Sequence, residues 1–351
     1  MNRRQEFEIA GRKIGEGHPV FLVAEMSANH HQNLGTALDI VRAAKEAGAD
    51  AIKVQNYTPD TMTIAHSGEL FQTTGTIWQG TSLHELYKTA YTPWDWFPLL
   101  CDEAKKLNLL CFSTPFDATA VDFLEQAQAV AYKIASFEIV DIPLLKKVAR
   151  TGKPVIMSTG MATFEEIQEA VDTLRQAGCQ QLALLHCTSA YPAAIDEMNI
   201  RTMAHMQQAF GVPVGLSDHS LDMEGVLAAV ALGACIIEKH FTLSRGAAGP
   251  DSPFSLEPAE FAHMAHSVRR METALGAVSY EPQASELVSR THRRSLFAVE
   301  DIRAGEALTN ANVRCIRPAY GLHPRHLDEV LSKQAATDIV RGTPLSWDLV
   351  R

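Results

Sequence analysis

At 351 residues the chain is longer than a typical single domain, and its apolar (46%) and charged (21%) fractions are those of an ordinary folded protein. A net charge of −10 supplies no dense basic face for a phosphate backbone, which excludes a nucleic-acid partner, although a few basic side chains can still converge on a small anion. Six scattered cysteines without a CxxC pair, an N-terminus without an apolar signal core and no apolar run of about 18 residues predict reduced thiols in a soluble, cytoplasmic protein with no membrane partner.

In chain order, FEIAGRKI (7–14) predicts a small hairpin turning at Gly11. Short apolar runs then recur at 20–24, 51–54, 109–112, 130–134, 154–157, 182–185, 213–216 and 235–237. Runs of this length suit strands buried on both faces of a parallel sheet. Helical patterns lie between them. LGTALDIVRAAKEAG stops at Gly48, and TFEEIQEAVDTLRQAG has Thr163 as N-cap, Glu166 closing a capping box and Gly178 as terminator. Eight strands alternating with helices over about 270 residues predict a (β/α)8 TIM barrel. The rival, an open doubly wound sheet, would carry a GxGxxG loop after its first strand, and SANHHQNLG is not one.

A long insertion at 57–91 interrupts the second βα unit and reads either as a lid or specificity loop or as a surface excursion with its own short helix. Near residue 277 the pattern changes to short strands and Gly and Asn turns. The predicted organisation is a barrel with its hairpin at 1–278, a linker at 279–288 and a small domain at 289–351.

Barrel active sites lie at the C-terminal ends of the strands, and all eight ends here carry reactive side chains. They bring up Glu25, Asn29 and His30; Lys53 and Gln55; Ser113 and Thr114; Lys133, Ser136 and Glu138; Ser158 and Thr159; His186, Thr188 and Ser189; Ser217, Asp218 and His219; and Glu238, Lys239 and His240. A lone Ser at such an end usually caps a helix and a lone Lys is usually solvated, but eight of eight points to a site. Lys53 and Lys133, with the hydroxyls of Thr114, Ser136, Ser158 and Ser217, suit a small ligand carrying phosphate and carboxylate. His219 and His240 end adjacent strands about 4.8 Å apart, within reach of one divalent ion, and barrel closure brings Glu25 to the same side. Two His with oxygen ligands suit Mn²⁺ or a similar ion such as Mg²⁺ or Co²⁺. His30 follows the first strand and is expected to line the site. His263 and His266 fall on the last barrel helix, facing solvent, and receive no role.

The segments AEMSANHH (24–31), DAIKVQNYTPD (50–60), CFSTPFD (111–117), YKIASFE (132–138), MSTGMAT (157–163), LHCTSAYPA (185–193), GLSDHS (215–220), EKHFTL (238–243) and GPDSPFSL (249–256) resemble those of the N-acetylneuraminate (sialic acid) synthase family. RRSLFAVEDIRAGEALTNANVRCIRP (293–318) resembles the SAF, or antifreeze-like, domain of those enzymes. The resemblance implies a metal-dependent transferase that condenses phosphoenolpyruvate with an open-chain N-acylated amino sugar and water, releasing phosphate by C–O cleavage. It also implies a domain-swapped homodimer in which Arg317 of each SAF domain reaches the sugar in the partner's barrel. Carried over by motif, Lys53, Thr114, Lys133, Ser136, Ser158, Ser189 and Ser217 would hold phosphoenolpyruvate, and His219 and His240 the metal. Gln55, Tyr191 and Asp251 would contact the sugar, and Glu25 would orient water or sugar and handle a proton.

Phe137 stands where the family pattern has its second glycine, and Ser189 where it has an amide, which predicts a more apolar pocket. These variants, with YTPDTMT and GLHP (321–324), resemble pseudaminic acid synthases, whose acceptor is 2,4-diacetamido-2,4,6-trideoxy-L-altrose. The alternatives are an N-acetylneuraminate or legionaminate synthase and, from other classes, a metal-dependent barrel hydrolase or a non-catalytic sugar-binding protein.

Overall fold

The computed structural model of the chain describes residues 7–75, 77–247 and 249–351. The first six residues of the N-terminus, read above for a signal core, lie outside them. The chain divides into two compact units, residues 1–276 and 277–351.

The first unit opens with the hairpin of β1 (Phe7–Ile9) and β2 (Arg12–Ile14). Ala10 and Gly11 both take left-handed backbone (φ 47° and 85°), the twist that a two-residue hairpin turn needs. Eight parallel strands follow, at the positions where the sequence placed them: β3 (Phe21–Glu25), β4 (Ala51–Asn56), β5 (Leu110–Pro115), β6 (Tyr132–Ile134), β7 (Val155–Ser158), β8 (Leu182–Cys187), β9 (Val214–Asp218) and β10 (Ile236–His240). They pair in sequence order, and β10 closes on β3 to complete a barrel. Seven of the eight run past their predicted C-terminal end, because an apolar run stops at the first polar residue while the strand carries that residue into the barrel.

Side chains alternate between two cores. Outward residues such as Leu22, Ile52, Val54 and Met157 pack against the surrounding helices. Inward residues Phe21, Phe112, Ile156 and Ile236 cluster with Phe7, Ile9 and Ile14, so the hairpin plugs the N-terminal end of the barrel. Close packing here leaves no room at Gly215, where a Cβ would stand 2.2 Å from the Ile236 carbonyl oxygen. With a strand period of two, the next inward positions are Glu25, Lys53, Thr114, Lys133, Ser158, Cys187, Ser217 and Glu238. An apolar floor therefore supports a polar tier.

Among its described residues the 57–91 insertion carries the α-helices Pro59–Met62 and Leu83–Ala90, started by the side chains of Thr58 and Ser82, with a 3₁₀ turn at Glu69–Phe71 between them. The expected N-cap of Thr163 and its capping box with Glu166 open helix Phe164–Gln176. His263 and His266 are exposed, as expected, on helix Pro258–Leu275.

In the second unit, β11 (Ser295–Ala298) and β12 (Val313–Ile316) pair antiparallel over a small core that includes Leu296, Leu308, Val313, Val330 and Leu345. The stretch expected as a linker, 279–288, is not wholly extended. Gln283 and Glu286 form a capping box that starts helix Ala284–Arg290, a signal hidden by the exposed, polar composition. Among the described residues no helix is long and apolar enough to cross a membrane.

Candidate active site

Four charges meet in the middle of the barrel. Lys53 Nζ lies 3.0 Å from Glu25 Oε2 and 3.3 Å from Glu238 Oε1, and Lys133 Nζ lies 3.2 Å from the same Glu238 oxygen. Strand register brings them together: Glu25 pairs with Lys53 across β3–β4, and β10 returns Glu238 beside both. All four side chains are nearly inaccessible to water. Burial opposes every one of these charges, so their pKa values report the balance. Against burial, Lys133 and Lys53 pull Glu238 down to about 2. Burial wins at Glu25, whose pKa is raised despite Lys53, and at Lys133, whose pKa is lowered despite Glu238. Lys53, flanked by two carboxylates, is raised despite burial. Ser217 Oγ donates to Glu238 Oε1 at 3.2 Å, and Thr114 Oγ1 lies 3.4 Å from Lys53 Nζ.

Above this tier opens a cavity of about 560 Å³, the size of a small-molecule site. Its wall includes Lys53, Lys133, Ser136, Ser158, Ser217 and Glu238 on one side. The insertion supplies the opposing wall through Met62, Leu83, Leu86 and Ala90, so the same segment that forms its own short helices also encloses the site. Several wall atoms are buried without a protein partner: Ser158 Oγ, Glu238 Oε2 and Glu138 Oε2. Unmet polar groups of this kind are costly unless a ligand or water satisfies them.

At the mouth, His219 and His240 stand with ring centroids 5.3 Å apart, and Tyr191 packs on His219 at 4.3 Å. His219 Nδ1 pairs with the Thr188 carbonyl at 3.0 Å, so it carries the proton and Nε2 keeps its lone pair. His240 Nδ1 is buried with no partner. Burial holds His240 well below its ordinary pKa; at His219, burial is outweighed by the nearby Cys187 and the value rises. Two neutral-capable imidazoles with free ring nitrogens fit a divalent ion completed by substrate or water oxygens. Among the described residues no three or more His, Cys, Asp or Glu converge on one point.

The structure gathers most of the expected residues. Lys53, Lys133, Ser136, Ser158, Ser217, His219, His240, Gln55, Tyr191 and Asp251 all line the cavity. Asp251 is half-buried, contacted by Ser27 Oγ, with its pKa raised by its desolvated surroundings. Glu25 faces His240 across β3–β10 but stands behind the wall, held by Lys53 and by Gln55 Nε2 at 2.8 Å. Thr114 is likewise behind Lys53. Ser189 is half-buried off the wall, close to Gly160, whose N–H donates to Ser136 Oγ at 3.0 Å; a Cβ on Gly160 would stand 2.1 Å from Ser189 Oγ. Arg317 lies in the second unit, exposed and without a hydrogen bond or ion pair among the described residues.

His30 does not line the cavity. It is fully buried, with Nε2 3.0 Å from Thr92 Oγ1 and its ring edge against Trp96, and burial lowers its pKa to about 4. The turn after β3 directs it back into the helical layer. His186 also points away, to the Met198 carbonyl at 2.6 Å.

Two carboxylates gained no role from the sequence. Glu238 was legible in principle, since it lies two residues before His240 and shares its face of β10. Glu138 follows the end of β6 in the 3₁₀ turn Ser136–Val140, half-buried on the wall, and burial raises its pKa to about 7.

Residues 40–280 match the NeuB family and residues 293–351 the SAF domain. The chain is 43% identical over 326 residues to a pseudaminic acid synthase of Campylobacter jejuni, covering 93% of this chain and 95% of that one. It is 42% identical over 333 residues to a pseudaminic acid synthase of Helicobacter pylori, covering 94% and 97%. The crystal structure of an N-acetylneuraminic acid synthetase from Leptospira borgpetersenii, in complex with citrate, superimposes with a TM-score of 0.73 at 36% identity, over 82% of this chain and 95% of that one.

Proposed function

The chain belongs to the NeuB family and ends in a SAF domain, and on that premise we propose that it condenses phosphoenolpyruvate with 2,4-diacetamido-2,4,6-trideoxy-L-altrose and water to give pseudaminate and phosphate. The observation that carries the reading is the buried pair Lys53 and Lys133, bridged by one carboxylate at the base of a cavity where Ser158 Oγ, Glu238 Oε2 and Glu138 Oε2 are buried without a protein partner.

Phosphoenolpyruvate brings a carboxylate and a phosphate. Lys53 and Lys133 supply the opposing charge, and the hydroxyls of Ser136, Ser158 and Ser217, with Ser189 at the edge and Thr114 behind Lys53, supply directed donors. In such a dry site fixed donors act far more strongly than in water. His219 and His240 would hold a divalent ion, Mn²⁺ with Mg²⁺ or Co²⁺ as alternatives, which would supply Lewis-acid polarisation of the acceptor aldehyde. Gln55, Tyr191 and Asp251 orient the acceptor, and the apolar wall of Leu83, Leu86 and Met62 receives the methyl of the 6-deoxy sugar.

Carbon 3 of phosphoenolpyruvate attacks the aldehyde carbon, leaving positive character at carbon 2. Glu238, beside both lysines, stabilises that charge electrostatically. Water adds at carbon 2, and phosphate departs with the bridging oxygen. Glu138, with a pKa near neutrality on the cavity wall, exchanges the proton between water and the new alkoxide. Glu25 acts from behind the wall, holding Lys53 charged and Gln55 aimed, rather than by touching substrate as its motif implied. We further propose a cytoplasmic homodimer in which Arg317 of one subunit completes the sugar site of the other.

The test is phosphate release from phosphoenolpyruvate with Mn²⁺, comparing the 6-deoxy-altrose acceptor, N-acetylmannosamine and the legionaminate precursor. Strong release with the altro sugar alone supports the full reading. Release only with another acceptor keeps the chemistry and removes the pseudaminate assignment. With phosphoenolpyruvate labelled at the bridging oxygen, the label is expected in phosphate.

A further inference from the structure

Cys101 and Cys111, ten residues apart and serving no part of the chemistry above, are neighbours in space. Their sulfur atoms are 2.9 Å apart. Cys101 sits on helix Trp96–Lys106 and is half-buried; Cys111 is the second residue of β5 and is buried. Helix and strand pack directly on one another, with Leu100 and Ala104 of the helix in the same core as Cys111. A disulfide needs a sulfur separation of about 2.05 Å, so closure requires less than about 1 Å of movement between two side chains already in contact. Among the described residues no other two cysteine sulfurs touch, and all six thiols are free.

We propose that Cys101 and Cys111 form a reversible dithiol–disulfide site that takes a low-molecular-weight disulfide, of the glutathione class, as its oxidant. The unequal exposure of the two sulfurs sets the order of events. The Cys101 thiolate, the more accessible, attacks one sulfur of the small disulfide; that S–S bond breaks and one small thiolate leaves. The Cys111 thiol then loses its proton and attacks Cys101 Sγ, expelling the second small thiolate and closing the protein disulfide. Two protein thiols are oxidised by two electrons, one small disulfide is reduced, and the two protons pass to the departing thiolates. The contact with Cys101 and burial hold the Cys111 thiol well above its ordinary pKa, in keeping with its place as the resolving rather than the attacking group. The bond would staple the helix that follows the 57–91 insertion to the strand that carries Thr114.

The experiment treats the full-length protein with oxidised glutathione, quenches by alkylation, and maps the thiols by mass spectrometry. The expected result is the loss of two of the six thiols, a mass lower by two hydrogen atoms, and reversal by a dithiol reductant. Lys105 and Lys106 lie between the two cysteines, so trypsin separates them, and a cross-linked peptide pair identifies the bond. In Cys111→Ser, glutathione is expected to stay on residue 101; in Cys101→Ser, Cys111 is expected to stay unmodified while the protein is folded. A stable glutathione adduct on wild-type Cys101, first oxidation at any other pair, or no thiol loss from the folded chain when the urea-unfolded chain reacts would each overturn the proposal.

Discussion

Replacing Glu238 by Gln tests the charge balance on which the site rests. In the native barrel two lysines and two carboxylates neutralise one another, and the substitution leaves one positive charge uncompensated in a buried place. The carboxyl is held at about 2 against an ordinary 4.5; at about 1.4 kcal/mol per pH unit, that difference corresponds to about 3 kcal/mol at pH 7. Removing one partner of a buried pair costs about 3–5 kcal/mol in other proteins, so the two figures agree. The folded pKa is depressed, so this stability is present above pH 4.5 and is lost as pH falls through about 2. Urea unfolding at pH 7 is expected to show Glu238→Gln less stable by about 3 kcal/mol, with a smaller gap at pH 4. Saturating phosphoenolpyruvate should then stabilise the variant more than the wild type, because the ligand's anionic groups replace the missing carboxylate. Unfolding curves that superimpose at pH 7, or equal stabilisation by phosphoenolpyruvate, would refute the reasoning.

Glu138 shifts the other way, upward to about 7, so its contribution is present below pH 4.5 and is lost as pH rises through 7. Glu138→Gln should therefore gain stability relative to wild type between pH 5 and pH 8, read by thermal melting, and should lose most phosphate release at every pH. Mixing inactive Lys133→Ala and Arg317→Ala proteins and allowing subunits to exchange should restore about a quarter of wild-type activity if Arg317 acts across the dimer; no restoration would place it in its own subunit's site or outside the site altogether. Chelation should abolish phosphate release and added Mn²⁺ restore it, whereas His240→Gln should bind Mn²⁺ more weakly by calorimetry. Leu86→Asn should raise KM for the 6-deoxy acceptor about tenfold, the scale of one lost apolar contact, with KM for phosphoenolpyruvate unchanged.

The strands of the barrel were legible in the chain because parallel strands buried on both faces are short continuous apolar runs, and such runs recur eight times from Val20 to Ile237. The residues lining the site were legible for a related reason: a polar residue inside the end of a run, as at Lys53 and Lys133, or just beyond it, as at Ser158 and Ser217, is one the strand carries to the barrel's C-terminal rim. Caps were local too, as at Thr163 and Glu166. What the chain order could not carry was which side chains meet. Glu25 and Glu238 are 213 positions apart, yet both hold Lys53, because β10 closes on β3. The turn after β3 buries His30 against Thr92 instead of presenting it to the cavity. Only the packing of helix on strand brings Cys101 against Cys111. Periodicity and capping act over a few residues and can be read from the chain directly; pairing of charges and thiols depends on barrel closure and loop direction, which exist only once distant segments have packed together.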